Sequence, residues 1–480
     1  MLQTLFDFYG YSIFIYSMLI LISYVSLIIM AGNSIFHNKE QVIDEYAFSI
    51  VKKSPYVPGV SIIAAAFNEE LTVIDNVRSL LQQNYPRFEV IIVNDGSKDS
   101  TLEKLITTFN LVEIPFFYVE YLTTHQYLHM YRSKDSKYSR LTVVDKENGG
   151  TKADAINCGL NVSKYPYFIN TDIDCILSQD AALQCMIPVM KDPKVIAVSG
   201  IMTLSNGCTV EGGQITHLAP PKNAIPLFQE LEYLRSFIVS KMGWSRINAM
   251  NNVSGGYGLF NKDICINAGG YSIDSFAEDM DMVMRMVGYC CEIKRDYRIV
   301  QIPKNCCRTE GPGNLKMLNR QRTRWGTGLI QCLWTHRKKI FNPKYKNMGF
   351  ITMPYVLLLE FLAPIIEFTG WWVLLYLILT DGINWPAAII IGIAAYLFSV
   401  MLSTVVIFYT LASGIEYKKL YQYLPLIGAA IIEPFFYHPF ITFFSIKGYF
   451  DFLIGKKMKW KTMQRKGYTK QHFSQNTISQ

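Results

Sequence analysis

Residues 58–95, PGVSIIAAAFNEELTVIDNVRSLLQQNYPRFEVIIVND, decide the fold class of this chain. The stretches at 58–67 and 88–95 are short apolar runs, which is typical of buried strands. Between them, apolar residues recur at steps of three and four, which predicts an amphipathic helix. These residues are Leu71, Ile74, Val77 and Leu81. Strand, helix and strand in succession indicate a βαβ unit, and therefore an α/β domain with a mostly parallel central sheet.

Polar residues stand where the predicted strands end. Asn68 comes just after the first strand, and Asp95 closes the second. Asp172 closes a third apolar run, YPYFINTDIDCIL, at 165–177. Parallel sheets bind their ligands at the carboxyl ends of the strands. We therefore expect these three side chains to share one edge of the sheet.

Asp172 and Asp174 form a pair of carboxylates two residues apart. Side chains alternate along a strand, so both are expected to point to the same side if the strand continues through them. Two converging carboxylates suit a hard divalent cation such as Mg²⁺ or Mn²⁺, which commonly binds one or two carboxylates together with substrate phosphates. Two solvated residues at a strand end would explain the pair equally well in isolation.

Three further stretches carry candidate chemistry, each with a simpler reading. Gly149 and Gly150 in NGGTKADAIN precede Lys152 at a helix start, where backbone N–H groups can bind phosphate, although a plain turn has the same composition. In SFAEDMDM, Glu278 or Asp279 suits a general base that accepts a proton from an attacking hydroxyl. Acidic residues are also favoured in any first helical turn.

The stretch NRQRTRWGTG at 319–328 combines several arginines with a tryptophan. Arginine can neutralise a leaving diphosphate, and the indole of Trp325 can stack on a sugar. A basic amphipathic segment that contacts lipid head groups is the simpler alternative, and the two interpretations are compatible.

Apolar residues are unevenly distributed along the 480-residue chain, which is 50% hydrophobic and 18% charged. Three runs reach the ~20 residues that a helix needs to cross a bilayer. They lie at 12–31, 353–380 and 386–412. The first predicts an N-terminal transmembrane anchor at 1–34, and the others predict a transmembrane hairpin at 353–412. Residues 55–335 form the α/β domain, in which the Tyr-rich stretch at 121–140 is expected to be a loop or insertion.

The apolar run at 423–454 is expected to behave differently, because prolines interrupt it and proline removes a helical hydrogen bond. They are Pro425, Pro434 and Pro439. Polar groups also occur within the run, at Glu433 and His438. The run therefore predicts an interfacial or re-entrant segment in place of a simple crossing.

Basic residues lie on one side of the predicted membrane segments. Residues 1–10 contain no Lys or Arg, whereas the linker at 336–352 and the tail at 455–480 are basic. The positive-inside rule then places the N-terminus outside and the α/β domain, the interfacial linker and the tail in the cytoplasm. The net charge of +8 predicts contact with membrane lipids and no nucleic-acid partner, although a basic tail on a soluble surface would give the same balance.

The motifs follow one another in a characteristic order: VNDGSKDST at 93–101, then NGGTK, DID, AED and QRTRW. In this order they resemble the membrane-bound inverting glycosyltransferases of family 2, the group that contains cellulose, chitin, hyaluronan and poly-N-acetylglucosamine synthases. The resemblance covers residues 55–335. It implies a nucleotide-sugar-binding domain of the GT-A type joined to transmembrane α-helices. It also implies a multi-pass protein of a plasma membrane, of the bacterial inner-membrane type, with a cytoplasmic catalytic domain.

The resemblance implies a role for each motif residue. Four residues correspond to those that bind the donor nucleotide, for which UDP is expected: Asn68, Asp95, Lys152 and Asp172. Asp174 corresponds to the direct ligand of Mg²⁺ or Mn²⁺, with Asp172 as the second carboxylate of the metal motif. Asp279 corresponds to the catalytic base and Glu278 to the acidic residue before it. The residues that correspond to the acceptor and diphosphate segment are Gln321, Arg322, Arg324 and Trp325.

The implied reaction is a single displacement that moves a sugar from the nucleotide to a growing glycan and forms a β-linkage. Three predicted transmembrane helices are few for the wall of a polysaccharide channel. The expected partner is therefore either a second copy of the chain or an accessory export subunit. A non-processive transferase that adds a single sugar to a lipid or lipid-linked acceptor is the alternative. A nucleotide-sugar-binding assembly subunit without catalysis is a third hypothesis, which a complete base and metal motif disfavour.

Overall fold

The computed structural model describes residues 2–37 and 45–456. The strands are β1 (Val60–Ala66), β2 (Phe88–Asp95), β3 (Leu111–Glu113), β4 (Tyr127–Ser133), β5 (Leu141–Lys146), β6 (Tyr167–Asp172), β7 (Cys175–Leu177), β8 (Val195–Leu204), β9 (Thr209–Glu211), β10 (Gln214–His217), β11 (Tyr257–Asn261) and β12 (Arg298–Thr309). The helices are α1 (Leu2–His37), α2 (Glu45–Lys53), α3 (Val73–Leu81), α4 (Thr101–Thr108), α5 (Lys152–Val162), α6 (Ala181–Lys191), α7 (Ala224–Leu234), α8 (Met242–Arg246), α9 (Lys262–Asn267), α10 (Glu278–Glu292), α11 (Leu315–Thr335), α12 (Met353–Tyr355), α13 (Leu362–Leu379), α14 (Trp385–Ser413) and α15 (Leu424–Leu453).

One large sheet organises the α/β domain. Ten strands pair in the order β3-β4-β5-β2-β1-β6-β11-β8-β12-β7, and β9 and β10 form a separate hairpin. β5, β2, β1 and β6 run parallel to one another, and β8 and β12 form a second parallel pair. β11 runs antiparallel between β6 and β8. The prediction of an α/β domain from residues 58–95 is confirmed, because β1 and β2 are adjacent and parallel and α3 connects them.

The sheet is the middle of three layers because alternate residues of its strands point to opposite faces. In β1, Ile62 belongs to the hydrophobic core on one face and Ile63 to the core on the other. The apolar side of α3 packs into the first core. The second core receives α5 and the methionine-rich side of α10. Burial on both faces explains why the strands are continuous apolar runs in the sequence.

The expectation of a loop at 121–140 is wrong for part of that stretch. β4 lies within it and pairs antiparallel with β5, which extends the sheet toward one edge. Along β4, Met130 is the one fully buried side chain. A single buried position leaves no alternating apolar pattern, so the sequence carries little sign of this strand.

Within residues 2–37 and 45–456, four helical segments are long and apolar enough to cross a membrane. They are Gly10–Phe36, Met348–Leu379, Trp385–Ser413 and Leu420–Leu453. The second begins inside the predicted linker at 336–352 and continues through π-helical turns into α12 and α13. The chain is therefore a membrane protein. The compartments assigned to its segments stay predictions, and the predicted tail at 455–480 lies outside the described residues from 457 onward.

The expectation that prolines break the last apolar run is wrong. α15 is one helix that contains Pro434 and Pro439 in its interior, while Pro425 occupies its first turn, where proline is tolerated. One side of α15 packs on α7 and α11 of the α/β domain. Neighbouring helices allow a proline-containing helix to persist, because they stabilise the backbone around the missing hydrogen bonds.

The contact between α11 and α15 depends on the absence of a side chain at Gly448. The hydroxyl of Thr327 donates to the carbonyl oxygen of Gly448 at 2.9 Å. A Cβ at Gly448 would lie 2.8 Å from the backbone nitrogen of Thr327 and would also collide with the carbonyl oxygen of Thr323. Both obstacles are backbone atoms of α11, so the two helices would have to separate.

We expect Gly448→Ala to lower the free energy of unfolding by about 1–3 kcal/mol, the usual cost of overpacking a tight interface. The measurement is the Tm of the purified protein in detergent. Gly428→Ala is the matched control, because it lies in the same helix and no neighbouring atom lies within 4 Å of the added Cβ. Equal Tm values for the two variants would contradict the close packing of α11 on α15.

Candidate functional site

A buried lysine joins two carboxylates at the carboxyl edge of the sheet. Lys146 at the end of β5 is the register partner of Asp95 at the end of β2. Its Nζ lies 2.7 Å from Asp95 Oδ1 and 2.6 Å from Asp154 Oδ2 in α5. Burial lowers the pKa of Lys146, but the hydrogen bonds that it donates to Asp154 and Asp95 and the charges of these carboxylates together raise that pKa more, so the net shift is upward. The lysine is therefore a permanent cation that holds β2, β5 and α5 together.

The turn of NGGTK fixes the carboxylate of Asp95. Gly149 donates its backbone N–H to Asp95 Oδ1 at 3.0 Å. The side-chain amide of Asn148 donates to the carbonyl oxygen of Asp95 at 2.6 Å and to its Oδ2 at 3.3 Å. The two sequence motifs, DGS and NGGTK, thus form one hydrogen-bonded unit. Asp95 lies at the predicted edge with a fixed orientation.

Asn68 also lies at this edge, and its side chain orders the loop after β2. Its backbone has φ 56°, a left-handed conformation that asparagine tolerates better than most residues. Asn68 Oδ1 accepts the backbone N–H of Lys98 at 2.8 Å, and its own N–H donates to Ser97 Oγ at 3.0 Å. The structure therefore brings Asn68 to the DGS loop, where it shapes the backbone beside Asp95.

Asp172 and Asp174 lie close together, but not for the reason that strand alternation suggests. β6 ends at Asp172, and Asp174 belongs to the turn before β7. That turn brings ligand atoms of both carboxylates and of Cys175 within 4.8 Å of one another. The expectation that one continuous strand aligns the two aspartates is wrong, since β7 leaves for the opposite edge of the sheet.

The two aspartates have different surroundings. Asp172, with a side chain 40% exposed, forms an ion pair with Lys152 at the first position of α5. Asp174 is buried, and its Oδ2 accepts a hydrogen bond from the hydroxyl of Thr309 at 3.4 Å. Burial lowers the pKa of Lys152, but the charges of Asp172 and Glu278 and the hydrogen bond to Asp172 together raise that pKa more, so Lys152 is charged.

This cluster fits a hard divalent cation. Carboxylate oxygens are the ligands that Mg²⁺ and Mn²⁺ prefer. A hydrogen bond with Cys307 and burial raise the pKa of the Cys175 thiol well above its ordinary range. A protonated thiol is a poor metal ligand, since the thiolate is the coordinating form. Asp174 and Asp172 are therefore the residues that would hold such an ion.

A second acidic pair begins α10. Glu278 is buried, whereas Asp279 beside it is partly exposed. Asp279 Oδ2 accepts the backbone N–H of Gly255 at 3.1 Å and the side-chain amide of Asn252 at 3.4 Å. Burial raises the pKa of Glu278, an effect that the nearby guanidinium of Arg324 opposes. The carboxylate that can meet a ligand in this pair is that of Asp279.

The loop at 252–256 lies between the two acidic pairs, Asp172 with Asp174 and Glu278 with Asp279, and contacts both of them. Gly255 donates its N–H to Asp279, and its carbonyl oxygen accepts Lys152 Nζ at 2.6 Å. A Cβ at Gly256 would lie 2.9 Å from Met202 Sδ and 3.4 Å from Asp172 Oδ2. Glycine therefore permits the loop to approach the aspartates closely, and one short segment touches Asp172, Lys152 and Asp279 together.

The residues of QRTRW lie in the middle of α11 and face two directions. Arg324 approaches Glu278, with its Nη1 3.8 Å from Glu278 Oε2, and the side chain of Trp325 is exposed. Gln321 and Arg322 are buried. The structure thus brings Arg324 to the start of α10, while Arg322 is engaged by Glu232 inside the protein.

Several residues that build this region were not among the predicted site residues. They are Lys146, Asn148, Asp154, Asn252 and Glu232. Two of them could have been predicted from the sequence. Lys146 ends a strand at the same edge as Asp95, and Asp154 lies in the first turn of the helix that follows NGGT. Nothing in the sequence pairs Glu232 with Arg322, since ninety residues separate them.

Comparison with known proteins identifies two matching families. Residues 61–116 match the family described as Glycosyl transferase family 2. Residues 171–412 match the family described as Glycosyl transferase family group 2. Together these matches include the DGS loop, both acidic pairs, QRTRW and two of the candidate membrane helices.

Curated relatives and a solved structure complete the comparison. Poly-beta-1,6-N-acetyl-D-glucosamine synthase of Staphylococcus epidermidis is 28% identical over 336 residues, which cover 67% of this chain and 70% of that protein. The synthase of the same name from Staphylococcus aureus is 26% identical over 288 residues, which cover 59% of this chain and 58% of that protein. The structure of mannosyltransferase PcManGT from Pyrobaculum calidifontis, with GDP-Man and Mn²⁺, superimposes with a TM-score of 0.48 at 16% identity, covering 90% of this chain and 99% of that chain.

The buried lysine of the donor edge yields a stability prediction. Lys146→Met leaves two carboxylates, Asp95 and Asp154, without their shared cation, and breaking a buried ion pair costs about 3–5 kcal/mol. We expect a large drop in Tm in detergent. Lys194→Met is the matched control, because its partner Asp296 is solvent-accessible and the two side chains are 58% and 60% exposed. An exposed pair contributes at most about 1 kcal/mol, so a similar loss in both variants would contradict this account.

Proposed function

The chain belongs to glycosyl transferase family group 2 and is a membrane glycosyltransferase, and we propose that it transfers N-acetylglucosamine from UDP-N-acetylglucosamine to the end of a growing β-linked glycan. The observation that carries the proposal is the loop at 252–256, which contacts Asp279, Lys152 and the backbone N–H of Asp172 at once. The choice of sugar is supported by relatives whose name is poly-beta-1,6-N-acetyl-D-glucosamine synthase.

Asp279 is the general base of the proposed reaction. Its carboxylate accepts the proton of an acceptor hydroxyl, and the hydroxyl oxygen attacks the anomeric carbon of the donor. The bond between that carbon and the diphosphate oxygen breaks as the new bond forms on the opposite face. A single displacement inverts an α-linked donor to a β-linked product. Partial exposure of Asp279 supports this role, since the neighbouring Glu278 is buried.

Positive charges of this chain stabilise the diphosphate as it leaves. Lys152 lies beside Asp172, and Arg324 lies beside Glu278, so both cations border the region between the two acidic pairs. Fixed charges aimed at the place where negative charge develops lower the barrier without reorganising at the moment of reaction. A divalent cation held by Asp174 and Asp172 would add Lewis-acid stabilisation of the same diphosphate.

The donor nucleoside is assigned to the edge formed by Asp95 and Asn68. Lys146, Asn148 and Gly149 all donate to Asp95, which orients its carboxylate before a ligand arrives. Pre-orientation reduces the entropy lost on binding. We assign Trp325 to the acceptor, because its exposed indole, next to Arg324 in α11, offers a flat apolar surface of the kind on which sugar rings stack.

The orientation in the membrane is also part of the proposal. With the N-terminus outside, three crossings leave the α/β domain and the basic tail in the cytoplasm, whereas a fourth crossing would move that tail outside. We therefore assign α15 to the membrane interface. Its ion pair with the domain, from Glu433 to Arg235, and its contact with Thr327 support this assignment. A second copy of the chain or an export subunit would then complete any channel for the product.

The reaction is tested with membranes that contain the protein, radiolabelled UDP-N-acetylglucosamine and a divalent cation. We expect a β-linked polymer, and we expect Asp279→Asn to reduce the rate by about 10²–10⁴-fold, because the base is lost. UDP binding by calorimetry should be unchanged in that variant. Asp274→Asn, an exposed acidic residue in the loop before α10, should retain full activity.

The size and identity of the product decide between hypotheses. A single labelled sugar attached to lipid would favour the non-processive alternative, and incorporation from a different UDP-sugar would overturn the choice of N-acetylglucosamine. Undiminished polymer formation by Asp279→Asn would contradict the role of the base. Binding of the nucleotide sugar without transfer to any acceptor would support the assembly-subunit hypothesis.

The metal role of Asp174 has a separate test. Asp174→Ala should weaken Mg²⁺- or Mn²⁺-dependent UDP binding about tenfold or more, since a charge-assisted contact of about 1.5–3 kcal/mol is lost. Calorimetry with the cation and with EDTA measures the difference. Asp274→Asn serves again as the control. A variant that binds UDP as tightly as the original protein, and with the same dependence on the cation, would remove Asp174 from the metal site.

A further inference from the structure

The guanidinium of Arg322 is held at both ends of its fork by one carboxylate. Nη1 and Nη2 each donate to an oxygen of Glu232 in α7, at 2.8 Å in both cases. The hydroxyl of Tyr437 in α15 donates to Glu232 Oε2 at 2.6 Å and accepts from Arg322 Nη2 at 3.3 Å. Arg322 is 3% exposed. Such a bidentate pair fixes the plane of the guanidinium as well as its position.

The same guanidinium lies over the ring of Trp325. Arg322 and Trp325 are three residues apart in α11, so they are neighbours on one side of the helix. The guanidinium carbon is 4.1 Å from the centre of the ring. Trp325 nevertheless keeps 37% of its surface exposed. The indole therefore packs against a fixed cation inside the protein, and its exposed part can contact a ligand.

Glu232, Arg322 and Tyr437 form what we call the arginine clamp. Its members come from α7, α11 and α15, which no local sequence feature brings together. Removing Glu232 would leave a buried guanidinium without its counter-charge, which is strongly destabilising and favours a rearrangement of the Arg322 side chain. Because the indole packs against this guanidinium, a change in Arg322 would change the orientation of Trp325.

We infer that the arginine clamp positions Trp325 for acceptor binding, and that Glu232 and Tyr437 are positioning residues of the transfer reaction. The inference rests on the proposed function, in which Trp325 contacts the acceptor sugar. It also gives α15 a role beyond membrane attachment, because Tyr437 links that helix to the acceptor surface. Donor binding does not depend on the clamp, since neither Glu232 nor Tyr437 contacts the donor edge.

Kinetics with separated substrates test the inference. The acceptor probe is the β-1,6-linked disaccharide of N-acetylglucosamine, and the donor is UDP-N-acetylglucosamine, with the full-length protein in detergent. Glu232→Gln should raise the KM for the disaccharide about tenfold, the scale of effect produced by displacing a binding group slightly, with the Kd for UDP unchanged. Tyr437→Phe removes one hydroxyl and should raise that KM about twofold to threefold.

The matched control is Glu433→Gln, which breaks the ion pair with Arg235. That pair also joins the end of α7 to α15, through Arg235 directly after the helix, and is also largely buried, but the hydrogen bonds of Arg235 go to Glu433 and Ser403, which are not members of the clamp. A general loosening of the two helices would lower the amount of active enzyme in both variants without changing the KM for the disaccharide. The inference requires the change in KM to occur with Glu232→Gln and Tyr437→Phe and to be absent with Glu433→Gln.

Trp325→Ala separates failure of the inference from failure of the proposed function. If Trp325→Ala raises the KM for the disaccharide while Glu232→Gln and Tyr437→Phe leave it unchanged, the clamp has no positioning role and the proposed function stands. If Trp325→Ala also leaves that KM unchanged, Trp325 does not bind the acceptor. The positioning role of the clamp and the assignment of Trp325 in the proposed function are then both overturned. If Glu232→Gln does not fold, Tyr437→Phe decides the matter alone.

Discussion

The backbone of Gly255 is the contact on which the arrangement of the site depends. Its N–H binds the carboxylate of Asp279, and its carbonyl oxygen binds the ammonium of Lys152. Lys152 in turn pairs with Asp172. The backbone of one residue therefore sets the separation between the base and the metal motif. A backbone group serves this purpose well, because its geometry is fixed by the loop and does not depend on a flexible side chain.

The α/β domain and the apolar helices share polar contacts that a simple membrane anchor would not need. Glu232 of α7 pairs with Arg322, and Arg235, directly after α7, pairs with Glu433, so this part of the domain is tied to α11 and α15 together. Each pair is largely buried, where removal of one partner leaves an uncompensated charge. The chemistry at Trp325 and the position of α15 are thereby linked through the interior of the protein.

Much of the fold and part of the site could be predicted from local sequence. The apolar runs that became β1 and β2, the periodic helix between them and the acidic start of α10 are patterns within a few residues, and they agree with the structure. The failures have physical causes. β4 has one buried side chain and hence no alternation, and α15 persists through its prolines because neighbouring helices support it. Asp174 lies in a turn that strand alternation does not describe.

By itself, the sequence determined the βαβ fold, the presence of membrane helices and the kind of residue available for each chemical role, because these follow from periodicity, length and motif order. Only the tertiary structure decided which of those residues meet. Strand register places Lys146 opposite Asp95, and a turn places Asp174 close to Asp172. Arg322 binds Glu232 inside the protein and does not face the predicted ligand region. The physical reason is that a buried charge requires a partner, and that partner is supplied by packing between elements distant in sequence.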